Sequence, residues 1–161
     1  MITAEELRER LDYDPETGVF TRRISTNFKY KIGDVAGRHN SDGYRCIQIQ
    51  NREYGAHRLA WLYVHGVWPR EQIDHINGVR DDNRIANLRE ATRSENGRNK
   101  KNHRNKRCAL KGVDIHYGRF RARISVQRKT IFLGCYATEE EAHAAYVAAA
   151  EKEFGAFARA E

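Results

Sequence analysis

The chain has 161 residues, a size that allows one mid-sized domain or two small ones and excludes folds of two hundred residues or more. It carries 29 Lys and Arg against 22 Asp and Glu, a formal net charge of +7, which favours a polyanionic partner such as nucleic acid. No apolar run approaches the roughly 20 residues that a membrane helix needs, so we expect no membrane partner.

The N-terminus and the cysteines favour a cytoplasmic protein. Glu5 and Glu6 stand where a secretory signal needs a basic start and an apolar stretch. Cys46, Cys108 and Cys135 are far apart and form no Cys-x-x-Cys pair. We therefore expect three reduced thiols rather than a disulfide framework or a zinc site.

The first third of the chain is predicted to be a small scaffold. A capping box at Thr3 and Glu6 predicts a helix, a stretch with Pro15 and Gly18 predicts a β-hairpin, and apolar residues at helical spacing before Gly66 predict a second helix. The predicted elements are a helix to about residue 11, a hairpin at 13–20, a strand pair at 44–50 and 53–56 joined through Asn51 and Arg52, and a helix at 57–65.

The central segment, residues 72–96, has the residue types that phosphodiester hydrolysis needs. A neutral imidazole such as His75 can deprotonate water near neutral pH. Asp74 and Asn96 offer one charged and one neutral oxygen to a hard divalent cation such as Mg²⁺. Asn87 returns opposite His75 and is expected to fix the orientation of its ring.

The order Asp74-His75, Asn87 and Asn96, with Asn87-Leu88-Arg89 and Ser94-Glu95-Asn96 intact, resembles the HNH motif of phage and intron homing endonucleases. The segments 13–20 and 57–61 resemble further parts of that family. The resemblance implies a ββα-metal (His-Me finger) domain in which His75 is the general base, Asp74 and Asn96 hold the metal, and Asn87 orients His75.

The same resemblance implies one divalent ion per active site, Mg²⁺ with Mn²⁺ as an alternative, and a phage-encoded protein acting in a bacterial host. Asn96 at the final position, in place of His, matches the homing-type branch. Because the chain lacks the Cys pairs of zinc-stapled members, no zinc is expected.

Residues 93–107 contain seven basic residues, one acidic residue and four asparagines, a composition that cannot build a core. A helix capped by Thr92 and Glu95 is predicted at the start, followed by an exposed basic linker at 100–108 between domains at 1–99 and 109–161. The basic residues expected to follow the DNA backbone are Arg93, Arg98, Lys100, Lys101 and Arg104.

After the linker, residues 119–126 alternate with period two, which places Arg119, Arg121 and Arg123 on one face of a strand. Strands at about 111–116 and 130–136 would complete a three-stranded antiparallel sheet, and a capping box at 138–141 predicts a helix to about residue 154. The arginine face is predicted to contact nucleic acid; the alternative is an edge strand protected by charge.

This C-terminal module resembles the plant ethylene-response-factor (APETALA) DNA-binding domain. The resemblance rests on Lys111-Gly112-Val113, residues 118–124, Ile131-Phe132-Leu133-Gly134 and residues 138–146. It implies DNA contacts by the sheet at Lys111, Asp114, His116, Arg121, Arg123, Ser125, Thr130 and Phe132, with Arg119 on the same face. Asp114 and Ser125 stand where that family usually has arginines, and Arg123 stands where it usually has an acidic residue, so its preferred DNA sequence cannot be transferred.

The sequence therefore predicts an α+β protein with an N-terminal HNH nuclease domain and a C-terminal module that binds duplex DNA. A monomer is expected to nick one strand, and double-strand cutting would need a dimer. The alternative is a sequence-specific DNA-binding regulator with an inactive HNH scaffold. Two alternatives about the site stay open. His57 is either a neighbour of the active site or a histidine at the start of a helix that hydrogen-bonds to the backbone. Asp81 and Asp82 either bind metal or are simply solvated.

Overall fold

The computed structural model describes residues 1–25, 30–98 and 108–158. The chain divides into two compact units, Met1–Arg93 and Ser94–Glu161. Its architecture is mixed α/β, with several small antiparallel sheets and, in these described ranges, four α-helices. The predicted linker at 100–108 lies outside the described residues except for Cys108, so the predicted domain boundaries stay predictions.

The first unit opens with the predicted capping box. Helix α1 spans Ala4–Arg10; the Glu6 amide donates to the Thr3 hydroxyl at 3.2 Å, and the Thr3 amide donates to the Glu6 carboxylate at 3.0 Å. The β-hairpin that follows is also confirmed, with strands β1 (Leu11–Asp14) and β2 (Val19–Arg22) paired antiparallel.

The next elements form a three-stranded antiparallel sheet of β3 (Arg38–His39), β4 (Arg45–Ile49) and β5 (Arg52–Gly55), in that order. The turn between β4 and β5 consists of Gln50 and Asn51, both with positive φ (50° and 61°), the geometry of a type I′ hairpin turn. It lies one residue earlier than predicted, because Arg52 already pairs with Ile49 in the sheet.

Helix α2 (Ala56–His65) ends at Gly66, whose φ of 75° provides the left-handed cap, as predicted. A two-stranded antiparallel sheet follows, formed by β6 (Gln72–His75) and β7 (Leu88–Ala91), with one turn of 3₁₀ helix before β7. Helix α3 (Arg93–Arg98) comes directly after β7.

The core of the first unit joins both helices to the hairpin and the larger sheet. Its largest fully buried apolar side chains are Leu7, Phe20, Ile47, Leu59 and Leu62. Burial of each such side chain contributes about 1.5–3 kcal/mol. Trp68 packs against this core and donates from Nε1 to the Ile2 carbonyl at 3.0 Å.

The second unit contains the predicted three-stranded antiparallel sheet, with β8 (Val113–His116), β9 (Arg119–Val126) and β10 (Lys129–Tyr136) in the order β10-β9-β8. The arginine-bearing strand β9 is therefore the central strand. This position argues against the alternative that its charges protect an edge.

Helix α4 (Glu139–Phe154) packs one face on the sheet. Its N-terminus has the predicted capping box at Thr138, and Ala142, Tyr146 and Ala150 are buried against β9 residues. Among the described residues, no helix is long and apolar enough to span a membrane.

Candidate active site

Asp74 and His75 lie at the end of β6, and both side chains are nearly buried, with 4% and 5% of their surface exposed. Antiparallel pairing places Arg89 on β7 opposite Asp74. The Arg89 guanidinium donates from Nε to Oδ2 of Asp74 at 2.9 Å, and its NH2 lies 2.8 Å from the same oxygen. The buried carboxylate is thus held in one orientation by a charged partner.

Asn83 contacts the His75 ring, with its Oδ1 3.3 Å from His75 Nε2. The other end of the same amide, Nδ2, donates to the Asp81 carbonyl at 3.0 Å. Because Nδ2 must face that carbonyl, Oδ1 faces the ring and accepts a hydrogen from Nε2. The network thereby assigns the Nε2–H tautomer and leaves the lone pair on Nδ1.

The environment of His75 also favours the neutral ring. Burial lowers its pKa from the ordinary value, and the Asn83 hydrogen bond and the Asp74 charge oppose that effect without cancelling it. A neutral imidazole with a defined tautomer can accept a proton at neutral pH.

Asn87 was expected to orient His75, and the structure gives it a different set of partners. Its Nδ2 donates to the Asn77 side chain at 3.0 Å and to the Asp82 carbonyl at 2.8 Å, while its Oδ1 accepts from the Asn77 amide at 3.0 Å. Asn87 thus holds the loop between β6 and β7 together, and its role in orienting His75 stays a prediction. Sequence spacing gave no signal for Asn83, which stands among the polar residues of that loop.

The N-terminal hairpin packs against the backbone at Asn83. The Tyr13 hydroxyl donates to the Asn83 carbonyl at 2.8 Å in a buried contact. Gly18 has φ +72°, and a Cβ there would lie 2.5 Å from the Asn83 carbonyl carbon and 2.4 Å from the Arg84 nitrogen. Only glycine allows this close approach of the turn. The hairpin therefore helps to place the residue that contacts His75.

His57, on the first turn of α2, lies beside His75 with the two ring centroids 5.3 Å apart. Its buried Nδ1 has no hydrogen-bond partner among the described residues, which argues against a backbone-satisfied histidine. Gly55 leaves room for the ring, because a Cβ there would lie 2.6 Å from His57 Cε1. Burial lowers the pKa of His57 to about 4, with the His75 charge as a smaller cause, so the ring is neutral at pH 7.

Asp81 and Asp82 are engaged by basic side chains in the loop between β6 and β7. Asp81 lies 3.1 Å from Arg45 Nε and 2.9 Å from His39 Nε2, and Arg84 donates to Asp82 from NH2 at 2.6 Å. The Arg84 contact is the largest cause that lowers the pKa of Asp82 to about 2. In the described ranges, no group of three or more His, Cys, Asp or Glu side chains is placed to hold a metal.

The remaining predicted residues of this motif lie on α3 or beyond it. Asn96 is half-buried and Arg93 is exposed; both are on α3. The geometry of Asn96 as a metal ligand stays a prediction. Lys100, Lys101 and Arg104 lie outside the described residues, and the helix ends at Arg98.

In the second unit, the predicted DNA-contacting residues gather on one face of the sheet. Cross-strand pairing sets Arg119 opposite His116, Arg121 opposite Asp114, and, on the other side of β9, Arg123 opposite Phe132 and Ser125 opposite Thr130. Lys111 precedes β8, and its carbonyl lies 2.9 Å from His143 Nδ1. The face thus combines three arginines with one acidic and one exposed aromatic side chain.

The family comparison agrees with the first of the two resemblances. Residues 54–98 match the model of the HNH endonuclease family, and this segment contains His57, Asp74, His75, Asn87 and Asn96. No curated protein matches the chain. Residues 54–98 of the chain are therefore similar to the HNH endonuclease family, which supports a nuclease.

Proposed function

We propose that the protein is a divalent-metal-dependent HNH endonuclease that hydrolyses phosphodiester bonds in duplex DNA. The observation that carries the proposal is His75: a buried, neutral imidazole beside Asp74, held as the Nε2–H tautomer by Asn83. The HNH match over residues 54–98 supports the same conclusion.

In the proposed reaction, His75 is the general base. Its Nδ1 accepts a proton from the water molecule whose oxygen attacks the phosphorus. The bond from phosphorus to the 3′ oxygen breaks, and the leaving oxygen takes a proton from solvent. Asn83 accepts the Nε2 hydrogen throughout and stabilises the imidazolium that forms.

Asp74 and Asn96 are the proposed metal ligands. The Asp74 carboxylate is nearly buried and oriented by Arg89, and carboxylate and amide oxygens are donors that Mg²⁺ and Mn²⁺ accept. The donor types therefore fit a hard divalent cation. Such an ion, when bound, supplies positive charge at the scissile phosphate and at the leaving oxygen.

We extend the proposal to the finer features that the resemblances imply. The nuclease domain is of the homing-type, ββα-metal branch, phage-encoded, and nicks one strand as a monomer. The second unit, as an ethylene-response-factor-like module, places its sheet on duplex DNA. The phosphates of the DNA backbone are contacted by the basic residues Arg93, Arg98, Lys100, Lys101 and Arg104.

The test is nicking of supercoiled plasmid by the full chain with Mg²⁺, with Mn²⁺ and with EDTA. We expect metal-dependent nicking that His75→Ala lowers by about 10²–10⁴-fold. His65→Ala, at the exposed end of α2, is the matched control and should nick like the wild type. If the wild type binds the plasmid and never nicks it, the protein is a DNA-binding regulator on an HNH scaffold. If His75→Ala nicks as well as the wild type, His75 is not the general base and the proposed active site is wrong.

A further inference from the structure

The sheet of the second unit has one carboxylate placed between two guanidinium groups. Asp114 on β8 stands directly opposite Arg121 on β9. Arg121 donates to both carboxylate oxygens, from Nε at 2.8 Å and from NH2 at 3.1 Å, and Arg123 NH2 lies 2.6 Å from Oδ2. One acidic side chain therefore fixes the ends of two arginines that are neighbours on the same face.

The Asp114 carboxylate affects both the net charge and the orientation of Arg121 and Arg123. The Arg121 contact holds the pKa of Asp114 below its ordinary value, so the carboxylate stays ionised at neutral pH. Its charge repels phosphate and offsets one of the two positive charges beside it. Partly exposed ion pairs add little to folding stability, so the main consequence is orientation.

The oriented arginines lie next to an exposed aromatic side chain. Phe132 on β10 is directly opposite Arg123 and 63% exposed. In the major groove of DNA, guanine presents O6 and N7 to a guanidinium, and thymine presents a methyl group to an apolar side chain. Strands can enter that groove and read base edges. The face has the side-chain chemistry for both contacts, side by side.

We propose that Asp114 is a specificity-determining residue: it holds Arg121 and Arg123 in orientations that read guanine edges in the major groove, while Phe132 contacts a neighbouring thymine methyl. This inference rests on the proposed function in one respect, that the second unit binds duplex DNA. On that basis the sheet recognises guanine and thymine edges, and the Asp114 carboxylate favours contacts with bases over contacts with phosphates.

The experiment compares variants of the full chain on selected and scrambled duplexes. Sites are first selected by wild-type binding to a random duplex library; affinities for a selected site and its scrambled version are then measured at several salt concentrations. Asp114→Asn removes the carboxylate charge at constant size. Glu140→Gln, exposed on α4, makes the same charge change away from the sheet. Arg123→Lys keeps the positive charge and loses the planar guanidinium.

We expect the wild type to select sites that contain guanine and thymine at neighbouring positions. Asp114→Asn should bind scrambled DNA more tightly, with a steeper salt dependence, and lose about fivefold or more of its preference for selected DNA. Arg123→Lys should lose preference at unchanged affinity for scrambled DNA, and Phe132→Ala should lose preference at the thymine position. Glu140→Gln should keep the wild-type preference.

Two outcomes would overturn the inference: a wild type with no sequence preference, or an Asp114→Asn variant that keeps the preference of the wild type. Plasmid nicking by the same preparations separates this inference from the proposed function. If the wild type nicks plasmid but has no binding preference for selected duplexes, only the role of Asp114 is contradicted. If the wild type has that preference but does not nick, the nuclease function is contradicted and the role of Asp114 stays supported. Hydrogen exchange on β9 shows that each variant keeps the sheet.

Discussion

Asn83 Oδ1 lies 3.3 Å from His75 Nε2, and this contact joins the β6–β7 loop to the ring of the proposed general base. The two residues are eight positions apart, and neither amide end of Asn83 is left without a partner. A loop residue thereby determines which nitrogen of His75 carries the proton. The consequence for activity is direct, because the base nitrogen must be the one that faces the water.

Replacement of Asn83 should therefore impair the chemical step. We expect Asn83→Ala to lower kcat for plasmid nicking by about 10–100-fold with little change in KM, since the residue acts through His75 and not on DNA. Asn83→Asp keeps an acceptor for the Nε2 hydrogen and should retain more activity than Asn83→Ala. Equal losses in both variants, or a change confined to KM, would contradict the positioning role.

The buried bond from the Tyr13 hydroxyl to the Asn83 carbonyl gives a second prediction. Tyr13→Phe should lower the free energy of unfolding of the first unit by about 1 kcal/mol and reduce nicking as Asn83 shifts. Tyr63→Phe is the matched control, because the Tyr63 hydroxyl makes an exposed bond to Asp12. Urea unfolding followed by tryptophan fluorescence measures the first unit, which holds both tryptophans, Trp61 and Trp68. Equal unfolding free energies and equal nicking in Tyr13→Phe and Tyr63→Phe would contradict a role of the hairpin in placing Asn83.

The lowered pKa of His57 predicts a pH-dependent stability. Its folded-state pKa is about 4, and the ordinary value is 6.5, so between these values the unfolded chain binds more protons than the native one. The free energy of unfolding therefore falls as the pH falls from 6.5 to 4, by about 3 kcal/mol from this group. His57→Phe should flatten that dependence in tryptophan-detected urea unfolding. His65→Phe should leave it steep; a His57→Phe curve parallel to the wild type would contradict the prediction.

The close contact between Gly112 and the Tyr146 ring predicts that a larger side chain at position 112 destabilises the second unit. It has φ +79°, and a Cβ there would lie 2.0 Å from Cδ2 of the buried Tyr146 ring. Gly112→Ala should destabilise this unit by about 3 kcal/mol, because strain and overpacking combine. Gly118→Ala has a similar φ of +76° with open space around it, so it isolates the cost of backbone strain, about 1 kcal/mol. Hydrogen exchange of the β9 amides measures both, and equal protection in the two variants would disprove the steric effect.

Local patterns were sufficient for most elements of secondary structure. The capping boxes at Thr3 and Thr138, the left-handed cap at Gly66 and the alternation along β9 are interactions between residues a few positions apart, and each was predicted from the sequence. The short strand β3 was not predicted, since two residues carry no periodicity. The roles of Lys100, Lys101 and Arg104 stay predictions.

The sequence by itself determined the order of elements, the HNH spacing and the division of charge, because these depend on residue type and on neighbours along the chain. Only the tertiary structure decided that Asn83 contacts His75, that His57 packs beside it, and that Asp114 engages two arginines. Such contacts join distant residues: Tyr13 and Asn83, which share one hydrogen bond, are 70 positions apart. Their geometry follows from the packing of the hairpin, helix and sheet, which no local pattern encodes.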